Sequence, residues 1–443
     1  MIEKGRSIEK RKCPKRRTGV CADCEPCAIT TGFSGSGSFS DGKLSISYDG
    51  EVGGELIKYI GVAPFQSVLK YTDDIYVFFG ADPTVHGLEH SDKIARIRRR
   101  AAQSHLKLIE SGVRHMGTEK AYDIYSRIQK VLEDLNIELC FNTVVEDFII
   151  EQLPDGEKII KGVLTEDGHQ VYADKVIAGI GREGSDWLSQ ICRKYGINSR
   201  VGQVDIGLRI ETDSDVTAEI DKSLYEAKLI YYTRTFEDRV RTFCWNPRGV
   251  VAEEKYGKLS VVNGHSYKDE SLKTKNTNFA LLVSKTFTEP FNTPIEYGHY
   301  IAELGNMLSG GKVLVQRYGD LKRGRRTTSA RLKKNIIQPT LKDAVAGDLS
   351  LVLPYRLMLD IMETLEALEE IMPGVATDGT LLYGVEVKFY SNKIVVDDHF
   401  QTNIRNLHVL GDGAGLTRGL MQASMNGVCM GRMLTGTWQN NGN

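Results

Sequence analysis

Between Thr118 and Leu135 the apolar residues Ala121, Tyr125, Ile128, Leu132 and Leu135 recur every three or four positions. That spacing puts them on one face of a helix, with Thr118 as its cap. The preceding stretch, Lys93 to Ser111, also predicts a helix, with an arginine-rich face. The pattern then changes. IELCFNTVVEDFIIE and KIIKGVLTEDGHQVYADKVIAGIG are rich in β-branched residues and broken by the turn signals PDGE and EDGH, so three or four strands are expected, the middle ones paired as hairpins. Helix, strand and meander in this order suit an α/β domain.

After Asp205 the strand pattern dominates, in VDIGLRIE, KLIYYTRTF, VRTFCW, LSVVNGHSY and NFALLVSKTF. Helical periods occur there near Glu296 to Leu308 and Tyr355 to Ile371. Beyond Pro373-Gly374 come short strands again, VEVKFYS and KIVVD, then NLHVLGDGAG and a helix from about Arg418 to Leu434. This tail has the strand, glycine turn and helix of a parallel sheet, so it is expected to return to the first domain.

Composition narrows the function classes. With 57 basic and 58 acidic residues, 41% hydrophobic and 26% charged, the chain has no global attraction to nucleic acid or to an anionic membrane. No apolar run approaches the roughly 18 residues of a membrane span and no secretion signal is evident, so a cytoplasmic protein with reduced thiols is expected. The 44 glycines exceed the usual share of about 7%.

Several motifs carry candidate chemistry. GSGSFSDGKLS, Gly35 to Ser45, follows the phosphate-loop pattern from Gly37 to Lys43 but has Leu44 where Mg²⁺ needs a hydroxyl, and no apolar strand feeds it. A nucleotide triphosphatase is therefore not expected. Gly179, Gly181 and Gly184 form a G-x-G-x-x-G between a strand and a helix; the acidic partner about 20 residues on is wanting, with Asp205 in a poor context, so a tight turn is the simpler reading. In LGDGAGLTRGLMQASMNGVCMGRM, Gly419, Ala423, Gly427 and Gly431 make a bare stripe that would let the helix press on a sheet or a flat ligand.

Cys13, Cys21, Cys24 and Cys27 fall within fifteen residues as CPKRRTGVCADCEPC. The spacing suits zinc, an iron–sulfur cluster or a redox dithiol. HGLEH, His86 to His90, matches an inverted zinc-protease order, but Pro83 and Gly87 work against the helix it requires. The basic runs Arg96 to Arg100 and Lys322 to Arg326 read as solvated faces, the second with Gly324 as a place where backbone could meet an anion.

Taken together, EKGRSIEKRKCP, CADCEPCAITTGFSGSGSFSDGKL, NTVVEDF, GIGREGSDWL, TFCWNP, VNGHSY, NTNFALLVSKTFTEPF, GDLKRGRRTT, PTLKDAVAGDLSLVLP, LLYGVEVKFYS and GDGAGLTRGLMQAS resemble the uncharacterised FAD-dependent dehydrogenase-like oxidoreductases over nearly the whole chain. The resemblance implies an α/β fold: a discontinuous FAD/NAD(P)-binding, Rossmann-like domain at 1–200 and 375–443, with a strand-rich α+β substrate domain at 201–374 inserted. It places FAD at Gly35, Ser36, Gly37, Ser38, Phe39, Ser40 and Asp41, at Val145, at Gly181 and Arg182, at Asp412 and Gly413, and at Gly419, Leu420, Met421 and Gln422.

Within that resemblance, Met1-Ile2-Glu3-Lys4-Gly5 reads as the end of the second strand of the dinucleotide unit, with Glu3 as ribose ligand and Lys4 beside it. The glycine fingerprint that should come before it is missing, so a truncated form unable to hold FAD is one alternative. Another is an electron-transfer flavoprotein whose cysteines hold iron–sulfur or zinc. The leading expectation is FAD-dependent oxidation or reduction of a small organic substrate, with His265 as proton donor or acceptor and Arg323 and Arg325 as anion anchors. A nicotinamide cofactor or a redox partner protein would complete the cycle.

Overall fold

The computed structural model describes residues 1–14, 22, 24–40, 42–48, 52, 54–181, 183–256, 259–267, 269–288, 290–291, 293–389 and 393–438. The chain is α/β and divides into two units. Unit 1 takes Met1–Val85, Arg114–Gly202 and Tyr390–Asn443; unit 2 takes His86–Val113 and Gln203–Phe389.

Unit 2 is built on an eight-stranded sheet. In spatial order its strands are Val345–Ala346, Leu314–Arg317, Leu381–Phe389, Val204–Asp213, Asn276–Lys285, Arg239–Asn246, Lys228–Tyr232 and Leu106–Ile109. Only the pairing of Val345–Ala346 with Leu314–Arg317 is parallel. Alternation along Val204–Asp213 explains the layering. Ile206, Leu208 and Ile210 join Phe279, Leu281 and Val387 in an apolar core with Leu357, Ile361 and Leu365 of the helix Tyr355–Glu369. On the alternate positions Asp205, Arg209 and Glu211 are polar and yet fully buried. A hairpin, Val250–Tyr256 with Leu259–His265, completes the strands of this unit.

The segment expected as one helix from Lys93 to Ser111 is a helix only over Ser91–Gln103. His105 then takes a positive φ of 58°, and Leu106–Ile109 pairs with Lys228–Tyr232 at the sheet edge. Leu106 and Leu108 alternate into the core, a period-2 signal too short to stand out beside the helix. That pairing places His86–Val113 in unit 2, and residues 375–389 also lie there because Leu381–Phe389 is an interior strand of the same sheet. HGLEH forms no helix; His86 stacks on Tyr225 with ring centroids 4.8 Å apart. The zinc-protease arrangement thus lacks the helix that would align its ligands. In the first basic run, Arg98 pairs with Glu110 at 2.8 Å and Arg100 with Glu219 at 2.8 Å.

Unit 1 holds two short parallel pairs, Ile2–Glu3 with Cys140–Phe141 and Val176–Ala178 with Leu407–Val409, and an antiparallel meander of Val145–Gln152, Lys158–Thr165 and Gln170–Tyr172. Its helices Val62–Phe78, Thr118–Asp134, Ser185–Tyr195 and Leu420–Leu434 bury Phe65, Leu69, Ile124, Leu188, Met421, Met425 and Cys429 in one core. Gly117, not Thr118, occupies the N-cap position of the second of these. The last helix inserts its methionine face. Its bare stripe turns outward instead: Cβ atoms built on Gly419, Gly427 and Gly431 would meet nothing within 4 Å, so the stripe is no close-packing face against the protein.

Candidate functional site

Arg11 organises the glycine loop of unit 1. Its side chain is 3% exposed, and its guanidinium donates to the carbonyls of Ala28 at 3.0 Å, Ile29 at 2.7 Å and Phe33 at 2.6 Å and to Ser38 Oγ at 3.1 Å. It also lies 4.6 Å from the centre of the Phe39 ring. Burial lowers its pKa to about 10, a loss opposed by the negative charges of Glu3 and Cys27, so it stays cationic at neutral pH. Gly35–Phe39 is a turn of 3₁₀ helix, and Ser40 closes it by donating to the Gly37 carbonyl at 2.9 Å.

The segments expected to surround a cofactor are joined through specific contacts inside this unit. Thr143 N–H donates to the Glu3 carbonyl at 3.0 Å, which ties the strand leading to Val145 to the first strand. Glu3 accepts from Gly5 N–H at 2.8 Å. Glu183, beside Gly181, accepts from Thr31 Oγ1 at 2.9 Å and pairs with Lys4 at 3.2 Å. A Cβ on Gly413 would sit 2.2 Å from the Gly181 carbonyl oxygen, and one on Gly37 would sit 2.7 Å from Leu420 Cδ2. Asp412 accepts from Thr417 Oγ1 at 2.7 Å and from Gly419 N–H at 3.0 Å, so its carboxylate fixes the turn that opens the last helix. Gln422 reaches back to the Val52 carbonyl at 2.8 Å. Glu3, Lys4, Gly35 to Ser40, Val145, Gly181, Asp412, Gly413 and Gly419 to Gln422 therefore belong to one connected set of loops; Asp41 and Arg182 lie outside the described residues.

Many of these side chains are occupied with the protein. Ser38 is bound to Arg11, Gln422 to Val52, and Met421 is core. What remains open is backbone. At Gly181, Gly411 and Gly419, all with positive φ, an added Cβ would meet nothing within 4 Å. These edges lie beside the N-terminal amides of the helix Leu420–Leu434, where the helix dipole favours an anionic or electron-rich group. Beneath them Asn426 accepts from Gly411 N–H at 2.9 Å, while its own buried Nδ2 has no partner among the described residues. A flat or phosphorylated ligand approaching bare backbone fits that arrangement.

Cys13, Cys24 and Cys27 do not gather as a three-ligand set, and Cys21 lies outside the described residues. Among the described residues the group with metal-like spacing is Asp397, Asp398 and His399, all exposed.

In unit 2, Arg323 pairs with Asp378 at 2.7 Å and Arg325 with Asp320, buried in the short helix Tyr318–Lys322, at 2.8 Å, so both guanidiniums are engaged by carboxylates of the protein. His265 ends the hairpin, edge-on to Tyr267 with centroids 4.9 Å apart. The strongest polar feature here was not legible beforehand. Arg209 and Glu386, both fully buried, form a bidentate pair with two contacts of 2.8 Å. Arg209 also donates to Asn278 Oδ1 at 2.8 Å, to the Cys244 carbonyl at 3.1 Å and to Asn263 at 3.3 Å. Burial would lower the guanidinium, and the Glu386 charge outweighs it and raises it. The motifs TFCWNP, VNGHSY, NTNF and GVEVKF thus meet at one arginine.

Residues 203–389 match the family described as FAD-dependent protein, C-terminal domain-like. This is the family the sequence resembles. A relative described as an uncharacterized protein of Clostridium beijerinckii (strain ATCC 51743 / NCIMB 8052) is 23% identical over 353 residues, covering 71% of this chain and 60% of the relative; the chain thus spans less than two thirds of that relative's length. Similar solved structures include Amadoriase I, a fructosyl amine:oxygen oxidoreductase from Aspergillus fumigatus (11% identity, 91% of this chain and 79% of that chain, TM-score 0.36), and L-proline dehydrogenase from P. horikoshii (11%, 87% and 84%, TM-score 0.35). A thermally stable mutant of a fructosyl peptide oxidase is 10% identical over 91% of this chain and 81% of its own, with a TM-score of 0.34. No helix among the described residues is long and apolar enough to cross a membrane.

Proposed function

We propose that unit 1 binds FAD and that the protein is an FAD-dependent oxidoreductase acting on a small organic substrate. The observation that carries this is the open glycine edge at Gly181, Gly411 and Gly419 beside a helix N-terminus, supported by the FAD-dependent family match of residues 203–389. FAD, when bound, accepts or returns a hydride equivalent.

The chain's own contribution is positioning. Asp412 holds the turn at the start of the helix Leu420–Leu434, with the exposed Gly419 as its N-cap, so that the positive end of the helix dipole faces the open glycine edge, and Glu3 at the end of the first strand is the candidate for a ribose hydroxyl. Gly35 to Ser40, kept in shape by Arg11, offers main chain to the pyrophosphate or ring system. Val145 would offer backbone to adenine, and Asp41 and Arg182 flank these loops in sequence. His265, Arg323 and Arg325 remain candidates for the substrate side, His265 as the proton carrier.

The test is an absorption spectrum of the purified protein before and after incubation with FAD and desalting. Retained flavin bands, lost in a Gly419→Val variant of unchanged circular dichroism, are expected. A protein that stays colourless at stoichiometric FAD would overturn the reading.

A further inference from the structure

The turn that precedes the glycine loop has a chemistry that flavin binding leaves unused. We propose that Cys24 and Cys27 form a redox-active dithiol, Cys27 attacking and Cys24 resolving, that reduces disulfide substrates. Recharging of the pair rests on the flavin reading above; the exchange itself does not.

Cys24 and Cys27 are separated by two residues, C-E-P-C, and both are exposed and free of a disulfide, so either sulfur can be reached by a partner. The turn after Cys27 is closed by Thr31 N–H donating to the Cys27 carbonyl at 3.0 Å. Burial alone would raise the Cys27 thiol; the backbone N–H groups of Ile29 and Thr30 and the Thr30 side chain outweigh it and hold the thiol below its ordinary value. Arg11 stands near enough to attract the thiolate, and it pins the same turn through the carbonyls of Ala28 and Ile29. Glu183 opposes, but its carboxylate is engaged by Lys4 and Thr31. Elsewhere the trend is reversed: burial pushes Cys192 up to about 11 and Cys429 up to about 12, as for inert core thiols.

The step balances as thiol–disulfide exchange. Cys27 thiolate attacks one sulfur of the substrate disulfide; that S–S bond breaks, a mixed disulfide forms and one substrate thiolate leaves. Cys24, giving up its proton to solvent, then attacks Cys27 sulfur, the mixed disulfide breaks, and the second substrate thiolate leaves. The substrate has gained two electrons and the protein holds a Cys24–Cys27 disulfide. Two electrons and two protons would return it to the dithiol, and a reduced flavin held by the proposed flavin loop would be their source. The same guanidinium that fixes the cysteine turn also donates to the Phe33 carbonyl and to Ser38 of the proposed flavin loop, so one side chain is shared by the two segments.

The test uses the full chain as purified, equilibrated in glutathione/glutathione-disulfide buffers, trapped with N-ethylmaleimide and mapped by peptide mass spectrometry. A Cys24–Cys27 linked peptide whose amount follows the glutathione ratio is expected. In Cys24→Ser, glutathione should accumulate on Cys27. At pH 7 Cys27 should react with iodoacetamide about 3- to 10-fold faster than Cys24, and Thr30→Val should move its alkylation profile to higher pH, which a merely structural threonine would not. Linkage to Cys13 or Cys21 instead, no linkage, equal alkylation rates, or metal content that shields both thiols would each overturn the proposal. A visible spectrum of the same sample separates the two readings. A colourless protein with a cycling dithiol sinks only the flavin, and a yellow one with unlinked thiols sinks only the dithiol.

Discussion

Arg11 donates to Ser38 Oγ at 3.1 Å from a side chain that is 3% exposed, twenty-seven residues upstream of the serine it holds. With the carbonyls of Ala28, Ile29 and Phe33 on the same guanidinium, one buried cation sets the shape of two loops. Replacing it by methionine leaves those acceptors buried without a donor. A loss of about 3 kcal/mol in urea unfolding is expected, together with weaker flavin retention. Arg11→Lys should recover only part of either, because an ammonium cannot reproduce the fork. Equal behaviour of the lysine variant and wild type would contradict this account of the loop.

Gly413 and Gly181 lie on either side of one contact and should respond differently. Alanine at Gly413 would force its Cβ to 2.2 Å from the Gly181 carbonyl, so unit 1 should lose several kcal/mol or fail to fold. At Gly181 the new Cβ points into open space and costs only the positive φ of 64°, about 1 kcal/mol. Its effect should fall on FAD affinity, read by flavin fluorescence titration. Unchanged affinity in Gly181→Ala would move the cofactor away from this edge.

Arg209 and Glu386 form a pair whose members depend on each other. Removing one, as in Glu386→Gln, leaves an uncompensated charge in a fully buried place, and a loss of about 3–5 kcal/mol is expected. Arg209→Met with Glu386→Leu should recover much of that loss. If the double variant is no more stable than Glu386→Gln, the neighbouring Asn246, Asn263 and Asn278 need the arginine as much as the carboxylate does.

Asp360 predicts a pH dependence. It is fully buried and accepts from Thr233 at 2.8 Å; burial, with the nearby Asp238 charge, raises it to about 6, whereas Asp238, paired with Lys285 and Arg356, is lowered to about 2. A carboxyl raised in the folded state binds protons more tightly there than in the unfolded chain. Ionising it therefore costs stability as pH climbs from about 4 to 6, and the cost is complete above 6. Asp238 works in the opposite sense, contributing stability above pH 4 that is lost as pH falls toward 2. Asp360→Asn, which keeps the acceptor for Thr233, should raise stability at pH 7.5 by about 1–3 kcal/mol and leave it unchanged near pH 4. Chemical denaturation at both values checks this; a variant less stable at both would show that the ionised form is the one the fold prefers.

Periodicity alone determined several of the long helices and strand runs of this chain, the helix Val62–Phe78 not among them. Thr118–Asp134, Tyr355–Glu369 and the alternating Val204–Asp213 follow from which residues are apolar, because burying one face is what makes those elements stable. The bare loop Gly35 to Ser40 and the turn at Asp412 were legible for a similar reason: glycine at such density marks backbone brought close to something. Burial decided the rest. Arg11 stands between two lysines, Lys10 and Lys12, and Arg209 in a strand that mixes polar with apolar residues; a charged residue carries no local mark of whether the chain will close over it. Leu106–Ile109 could be a strand only because Lys228–Tyr232 arrives to pair with it, and Glu183 gains a role only because Lys4 and Thr31 come within reach. Such partners lie more than a hundred residues apart in sequence, and it is the tertiary structure, by removing water around them, that turns their charges and hydrogen-bonding groups into fixed contacts.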